Sequence, residues 1–408
     1  MRCRVRLCFE GSWLISRGVA VQNVVRGRDY VPGSAWRGAL AEMLLSAGRS
    51  EAELAAIFSS DARFGFLYPV PAEEGWEGFP LPLSARKCKV QGGLGDGKHG
   101  ASDWLLPNLR RYLDLRSEAP FECSVCRERL ERYRGLAARS LRGEGYREIK
   151  IERCWLMRVG LDRRTETAAE GILYALDAAT WPHFSGWWQG AEEEFLKLRE
   201  ALAACRPLVD GGWPVYLGTA KARGLGKALL RLDEGESPSL PPLEARLNDF
   251  QRQLGLGNDH PYLYFSLTLR SPLLLPGDGG KPWGWDDAGV LTRYISTVPS
   301  GLEYLQEVSA VEWETWEGWS QAWGLPKPVV TAAVPGSVLV YQAPLAAKDE
   351  VLAFLQEIEE RGLGEKTAEG WGEAVVCDPF HLHFDADKIS VRTEEGKDEL
   401  HVSAAGGN

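Results

Sequence analysis

The sequence predicts an α+β chain of two related modules. Three observations carry this expectation. Period-two strands and period-3.6 helices interleave along the 408 residues, a glycine-rich motif occurs twice, and a proline-rich stretch separates its two occurrences.

The first strand is expected over Arg2–Glu10, with Val5, Leu7 and Phe9 on one face. A polar loop leads to Tyr30-Val31-Pro32-Gly33-Ser34-Ala35-Trp36-Arg37-Gly38, where Pro32-Gly33 marks a turn and Ser34 is placed to cap a helix. That helix runs to about Ala47 with Trp36, Leu40, Met43, Leu44 and Ala47 as its apolar stripe, and Gly48 suits its end. Gly38 costs about 1 kcal/mol there relative to alanine, which suggests that a backbone or ligand approaches it closely.

The repeat is Gly218-Thr219-Ala220-Lys221-Ala222-Arg223-Gly224-Leu225-Gly226-Lys227-Ala228 and Gly364-Glu365-Lys366-Thr367-Ala368-Glu369-Gly370-Trp371-Gly372-Glu373-Ala374. Both read G-x5-G-x-G-x-A beside apolar strands, and duplicated units are the simplest source of such a match. The expected organisation is a module over 1–235 with an insertion at about 71–140, a linker over 236–259, a second module over 260–384 and a polar, poorly ordered tail over 385–408. A strand bearing His381 and His383 on one face is expected near the end of the second module.

The net charge of −10 is unevenly spread. Residues 1–150 hold 24 basic and 18 acidic residues, and 20 of the 24 are arginine; the remainder holds 23 basic and 39 acidic. Arginine matches phosphate oxygens with a planar fork of donors, so the first part admits a nucleic-acid face. Glycines at φ > 0 let several N–H groups converge on an anion, and Lys221, Arg223 and Lys227 add charge to the first loop. In the second loop Lys366 is outnumbered by Glu365, Glu369 and Glu373. Neither loop fits the nucleotide-binding Gly-Lys-Ser/Thr pattern.

Cys123-Ser124-Val125-Cys126 is half a zinc site by spacing, and Cys88 with His99 completes C-x10-H-x23-C-x2-C. Residues 71–140 are polar, Gly-rich and without apolar periodicity, so a structural metal would supply folding energy that a core does not. Free thiols and a redox pair are the competing readings. No signal-peptide pattern and no apolar run of about 18–20 residues is present, which points to the cytoplasm and away from a membrane.

These residues resemble the RAMP (repeat-associated mysterious protein) superfamily of CRISPR-Cas systems. The matching pieces are the Tyr30–Gly38 entry into the first helix, Asp162-Arg163-Arg164-Thr165 before Gly171-Ile172-Leu173-Tyr174, the two glycine loops, and Pro335-Gly336-Ser337 before Val338-Leu339-Val340. Pro80-Leu81-Pro82-Leu83-Ser84, with Cys88, His99 and the CxxC, looks most like the large two-domain RAMP subunit of type III-D complexes. The resemblance implies two ferredoxin-like (RRM-like) modules, the first with a zinc-binding insertion. It implies a place at the 5′ repeat-derived handle of the CRISPR RNA, beside the large polymerase-like subunit and the backbone RAMP subunits. Ser34, Arg37, Arg163, Arg164, Lys221, Arg223 and Lys227 would lie along the RNA.

Target-cutting relatives carry an Asp in the loop after the first strand. The body of that loop here, Ile15–Arg28, has no acid, and Asp29 falls at its end. Processing relatives use a histidine near the first helix, and none precedes His99. The expectation is therefore a non-catalytic RNA-binding subunit. The alternatives are an endoribonuclease using Asp29 or His99, and a two-domain zinc protein with another ligand.

Overall fold

The computed structural model describes residues 1–18, 23–58, 62–94, 99–143, 145–162, 164–203, 205, 211–233, 240–257, 259–320 and 324–388. It is a mixed α+β structure with several small sheets.

The first strand, Arg2–Phe9, lies between the antiparallel strands His183–Gln189 and Lys227–Asp233. Arg63–Phe64 and Tyr68–Pro69 pair beyond His183–Gln189, and Trp213–Tyr216 pairs beyond Lys227–Asp233. Period-two alternation points Cys3, Val5, Leu7 and Phe9 into a core shared with Trp36, Leu40 and Leu44 of helix Gly33–Ser46 and with Phe195, Leu198 and Leu202 of helix Glu192–Ala203. The helix begins one residue before Ser34: Pro32 occupies the N-cap and no side chain caps it. A serine capping box does occur at Ser50 and Glu53, at the start of helix Glu51–Ile57.

The second sheet repeats the plan. Tyr262–Leu269 lies between Val338–Pro344 and Ala374–Val376, with Glu303–Tyr304 outermost. Within each module the main strands lie in the order fourth, first, third, second, all antiparallel. Helix Lys348–Arg361 covers the second sheet through Val351, Phe354, Leu355 and Ile358. The crossover after Tyr262–Leu269 has only the four-residue helix Ala288–Leu291, where the first module has the fourteen-residue Gly33–Ser46.

Four expectations are corrected here. The interval 236–259 contains helix Leu243–Leu254, whose Leu247, Phe250 and Leu254 are buried in the second core. The insertion has its own apolar cluster, in which Phe79, Leu81, Ala85, Ala101, Tyr133 and Ala137 pack against Phe380 of the second module; its strands continue to Ile149. His381 and His383 lie on the short helix Pro379–His383, because Pro379 and the Asp378 cap start a helix there. Finally, Asp385 is fully buried and pairs with Arg110. Residues 389–408 of the expected tail lie outside the described residues.

Candidate nucleic-acid interface and metal centre

The two glycine loops share one backbone conformation, position for position. Gly218, Ala220, Gly224 and Gly226 have φ of 83°, 62°, 87° and 76°, and Gly364, Lys366, Gly370 and Gly372 have 83°, 60°, 82° and 69°. Each encloses a 3-10 turn, Lys221–Arg223 or Thr367–Glu369. Their external bonds also correspond. Thr219 N–H donates to Leu14 O and Glu365 N–H to Leu274 O; Gly226 N–H donates to Ser12 O and Gly372 N–H to Pro272 O. A Cβ at Gly226 would stand 1.9 Å from Leu217 O, and one at Gly372 1.8 Å from Leu363 O. The last glycine of each motif is thus required because a neighbouring backbone carbonyl leaves no room for a side chain.

Each loop packs on a β-hairpin of its own module. The first covers Leu156 and Leu176 of the hairpin Arg153–Leu161/Ala168–Ala179 through Leu225. The second places Trp371 on Trp316 of the hairpin Trp313–Trp316/Val330–Ala333, with ring centroids 5.0 Å apart. From here the two differ. The second loop is docked on the first module: the Cβ of an alanine at Gly33 would meet Glu369 O at 2.3 Å, and one at Gly370 would meet Phe64 O at 2.3 Å. Trp316 and Trp371 join Phe66 and Tyr68 of the first module in one apolar cluster, and the Arg28 guanidinium sits 3.8 Å over the Trp316 ring. Glu373 pairs with Arg2 at 3.3 Å. Nearby, burial brings the pKa of Arg63 down to about 10 against the opposing pull of Glu373. Glu373 of the second loop therefore faces arginines of the first module.

At the matching positions of the first loop, Glu369 and Glu373 are replaced by Arg223 and Lys227. Arg223 donates to the Tyr174 hydroxyl on the hairpin, Lys227 pairs with Glu10 at 2.6 Å, and Lys221 pairs with Glu42. These pairs are at the surface, where such contacts are weak and exchange readily for a phosphate. Arg164 is exposed at the hairpin turn, bonded through its N–H to Asp162. Arg163 lies outside the described residues.

Ser34 and Arg37 are not beside the first loop. They occupy the N-terminal end of helix Gly33–Ser46, next to the second loop, while Glu42 of the same helix reaches Lys221. Eight residues of helix separate Ser34 from Glu42, about 12 Å along the axis. Arg37 donates to Phe58 O and lies 5.6 Å from the Phe64 ring. Gly38, expected at a close approach, has open space around it; the crowded glycine of this helix is Gly33.

Cys88, His99, Cys123 and Cys126 converge, with ligand atoms all within 4.8 Å of one another. Cys88 Sγ is 3.4 Å from Cys126 Sγ and 3.4 Å from His99 Nδ1. A tetrahedral zinc with bonds of about 2.0–2.3 Å requires ligand separations of about 3.5–3.8 Å, so the set fits with small adjustments. The thiols are free. Burial opposes the Cys88 thiolate, but hydrogen bonds from the Gln91 backbone, His99 and the Val90 backbone outweigh it and bring its pKa down to about 6. At Cys126 a hydrogen bond from the Glu128 backbone is overcome by burial and by the neighbouring cysteines, and its pKa is raised. Three soft thiolates and an imidazole suit zinc, and four protein ligands leave no open position for a reacting water.

The candidate catalytic groups are engaged elsewhere. Asp29 pairs with Arg153 at 2.6 Å, and His99 belongs to the thiol cluster. Sequence reasoning missed one polar chain: Thr268 Oγ1 is 2.8 Å from His381 Nε2, His381 Nδ1 is 2.9 Å from Asp103 Oδ1, and Ser84 donates to Asp103 Oδ2 at 2.6 Å. It resembles a hydrolase triad in connectivity, yet Thr268, His381 and Asp103 are completely buried, so no substrate reaches it. The residues stand up to 278 positions apart, and no local pattern announces them.

No family model matches the sequence, and no curated protein matches it. Among solved structures, the chain resembles one from the cryo-EM structure of the type III-B Cmr-beta complex bound to cognate target RNA and AMPPnP, at TM-score 0.40 and 15% identity, covering 83% of this chain and 86% of that one. It also resembles a chain of the Csm3–Csm4 subcomplex of the type III-A CRISPR-Cas interference complex, at TM-score 0.35 and 10% identity over 83% and 92%. The crystal structure of Cmr4 matches at TM-score 0.27 and 12% identity over 58% and 100%. At these scores the likeness assigns no role to any residue. Among the described residues, no helix is long and apolar enough to cross a membrane.

Proposed function

We propose that this chain is a non-catalytic, RNA-holding subunit of a type III CRISPR-Cas effector complex, of the RAMP kind found in type III-D, acting in the cytoplasm. The observation that carries the reading is the charge inversion between two loops of one geometry. The second loop places Glu373 against the chain's own Arg2, and the first presents Arg223 and Lys227 at the matching positions on an open surface. A surface built like the second but opposite in charge suits a polyanion, and a guide RNA is the polyanion that the motif resemblance implies.

In this reading the modules are ferredoxin-like (RRM-like), which the order fourth-first-third-second supports. RRM-type domains stack bases on the open sheet face. Here Arg4 and Arg6 on that face of the first sheet bond Trp76 O and Glu74 at the edge of the insertion, which favours the loop and hairpin as the RNA surface in this reading. The RNA would be the 5′ handle of the CRISPR RNA, with the polymerase-like subunit and backbone RAMP subunits as protein partners. Zinc in the Cys88/His99/Cys123/Cys126 cluster would be structural. The engagement of Asp29 by Arg153 and of His99 by the cluster speaks against the endoribonuclease alternative.

The test is guide-RNA retention by the purified complex carrying Arg223→Glu and Lys227→Glu, titrated with salt. Each phosphate that the variant no longer neutralises should reduce the slope of log K against log salt by about 0.7. Retention and slope equal to those of the unaltered complex would refute the proposal.

A further inference from the structure

We infer that the metal held by Cys88, His99, Cys123 and Cys126 fastens helix Leu105–Tyr112 into the core of the second module, so that a centre in the first module's insertion governs the order of the second. This rests on the zinc reading of the cluster and adds to it what the ion holds in place.

The four ligands sit at the ends of three very short strands, Ala85–Cys88, Ala101–Asp103 and Leu130–Arg132. Cys88 closes the first, His99 stands two residues before the second, and Cys126 four before the third. They form one sheet with Ala85–Cys88 in the middle. Each outer strand pairs with the middle one at only three positions, so few backbone hydrogen bonds hold the sheet together. A four-ligand ion at one end ties all three together.

The opposite end of Ala101–Asp103 is built into the second module. Asp103 accepts from Ser84 and from Leu105 N–H, contacts His381, and its own N–H donates to Phe384 O at 2.6 Å. The helix that follows buries Leu105, Leu106 and Leu109 among Leu247, Phe250 and Leu254 of helix Leu243–Leu254. Arg110 makes a two-pronged contact with Asp385, at 3.1 and 2.8 Å. The second module's own crossover supplies only the four-residue helix Ala288–Leu291, so its core is completed by helices from outside its sheet. Five residues separate the ligand His99 from the first of these buried leucines.

Metal analysis and hydrogen exchange on the full-length chain, before and after removal of metal with a chelator, test the inference. The expected result is about one zinc per chain and, once it is removed, amides of Leu105–Tyr112 and Leu243–Leu254 that exchange at least about tenfold faster, while those of Arg2–Phe9 keep their rates. His99→Cys, which restores four soft ligands, should keep the protection that His99→Ala loses. Asp103→Asn should keep the zinc and loosen the same helices. Zinc present with both helices unmoved on its removal overturns the fastening role and leaves the metal site standing. A chain with no zinc, whose four ligands can be substituted without effect on exchange, overturns the zinc reading itself.

Discussion

Gly33 and Gly38 lie on the same helix, and alanine at the two positions should shift stability in opposite directions. Alanine is favoured over glycine in a helix by about 0.8–1.0 kcal/mol. At Gly38, which is exposed with nothing within 4 Å of the added carbon, most of that gain should appear. At Gly33 the same carbon would stand 1.7 Å from Phe64 O and 2.3 Å from Glu369 O. Both obstacles are backbone, one from each module, so neither can rotate away. Overpacking of this kind costs about 1–3 kcal/mol. The two variants should therefore differ by about 2–4 kcal/mol in unfolding free energy, with Gly38→Ala above the parent chain and Gly33→Ala below it. Urea denaturation followed by tryptophan fluorescence reads this directly, because a changed midpoint at constant slope is a changed stability. If both substitutions move the midpoint the same way by similar amounts, the docking of the second glycine loop on this helix is wrong.

Trp371→Ala should cost about 3–5 kcal/mol, since the ring packs on Trp316 in a cluster fed by both modules. Leu225→Ala, at the matching position of the first loop, removes a smaller side chain from a cluster of three buried residues and should shift the denaturation midpoint less; equal shifts would contradict the asymmetry of the two loops. Glu77 gives a pH dependence. Burial pushes its carboxyl up, but the charges of Arg139, Arg270 and Arg2 and the Trp187 N–H hold it below its ordinary value of 4.5. On acidification the unfolded chain takes up this proton first, so the stabilisation is full above about pH 4.5 and is lost as pH falls through the lower folded value. Glu77→Gln should flatten the loss of stability below pH 4.5, and an unchanged profile would exclude this carboxylate as a contributor.

The features legible in the sequence are those that local chemistry enforces. The glycine repeat is visible because Gly226 and Gly372 sit where backbone leaves no room for a side chain. The first strand is visible because one of its faces is buried and alternation follows. The cysteine–histidine cluster is partly visible because its CxxC half has the spacing of paired metal ligands, while the 23-residue gap from His99 has no such signature. Tertiary contacts decide the rest. Ser34 has the chemistry of a cap, but the helix starts at Gly33, where it meets Glu369 of a distant loop. Leu243–Leu254 lies just beyond a run of prolines that reads as linker, and only the leucines it meets show that it is core. The acids of the second loop argue against RNA when read alone; against Arg2, Glu373 marks an internal interface.

The placement of helix Leu105–Tyr112 has a consequence for how the chain emerges from the ribosome. Its leucines are synthesised early, but Leu247 and Phe250, which cover them, follow about 140 residues later, roughly 7–28 s at ordinary elongation rates. During that interval the first module can fold around Arg2–Phe9 while an apolar helix waits uncovered. A break between the modules would make the wait permanent. The two halves are therefore not expected to be recoverable as separately expressed soluble fragments, and a nascent-chain chaperone has a defined segment to shield.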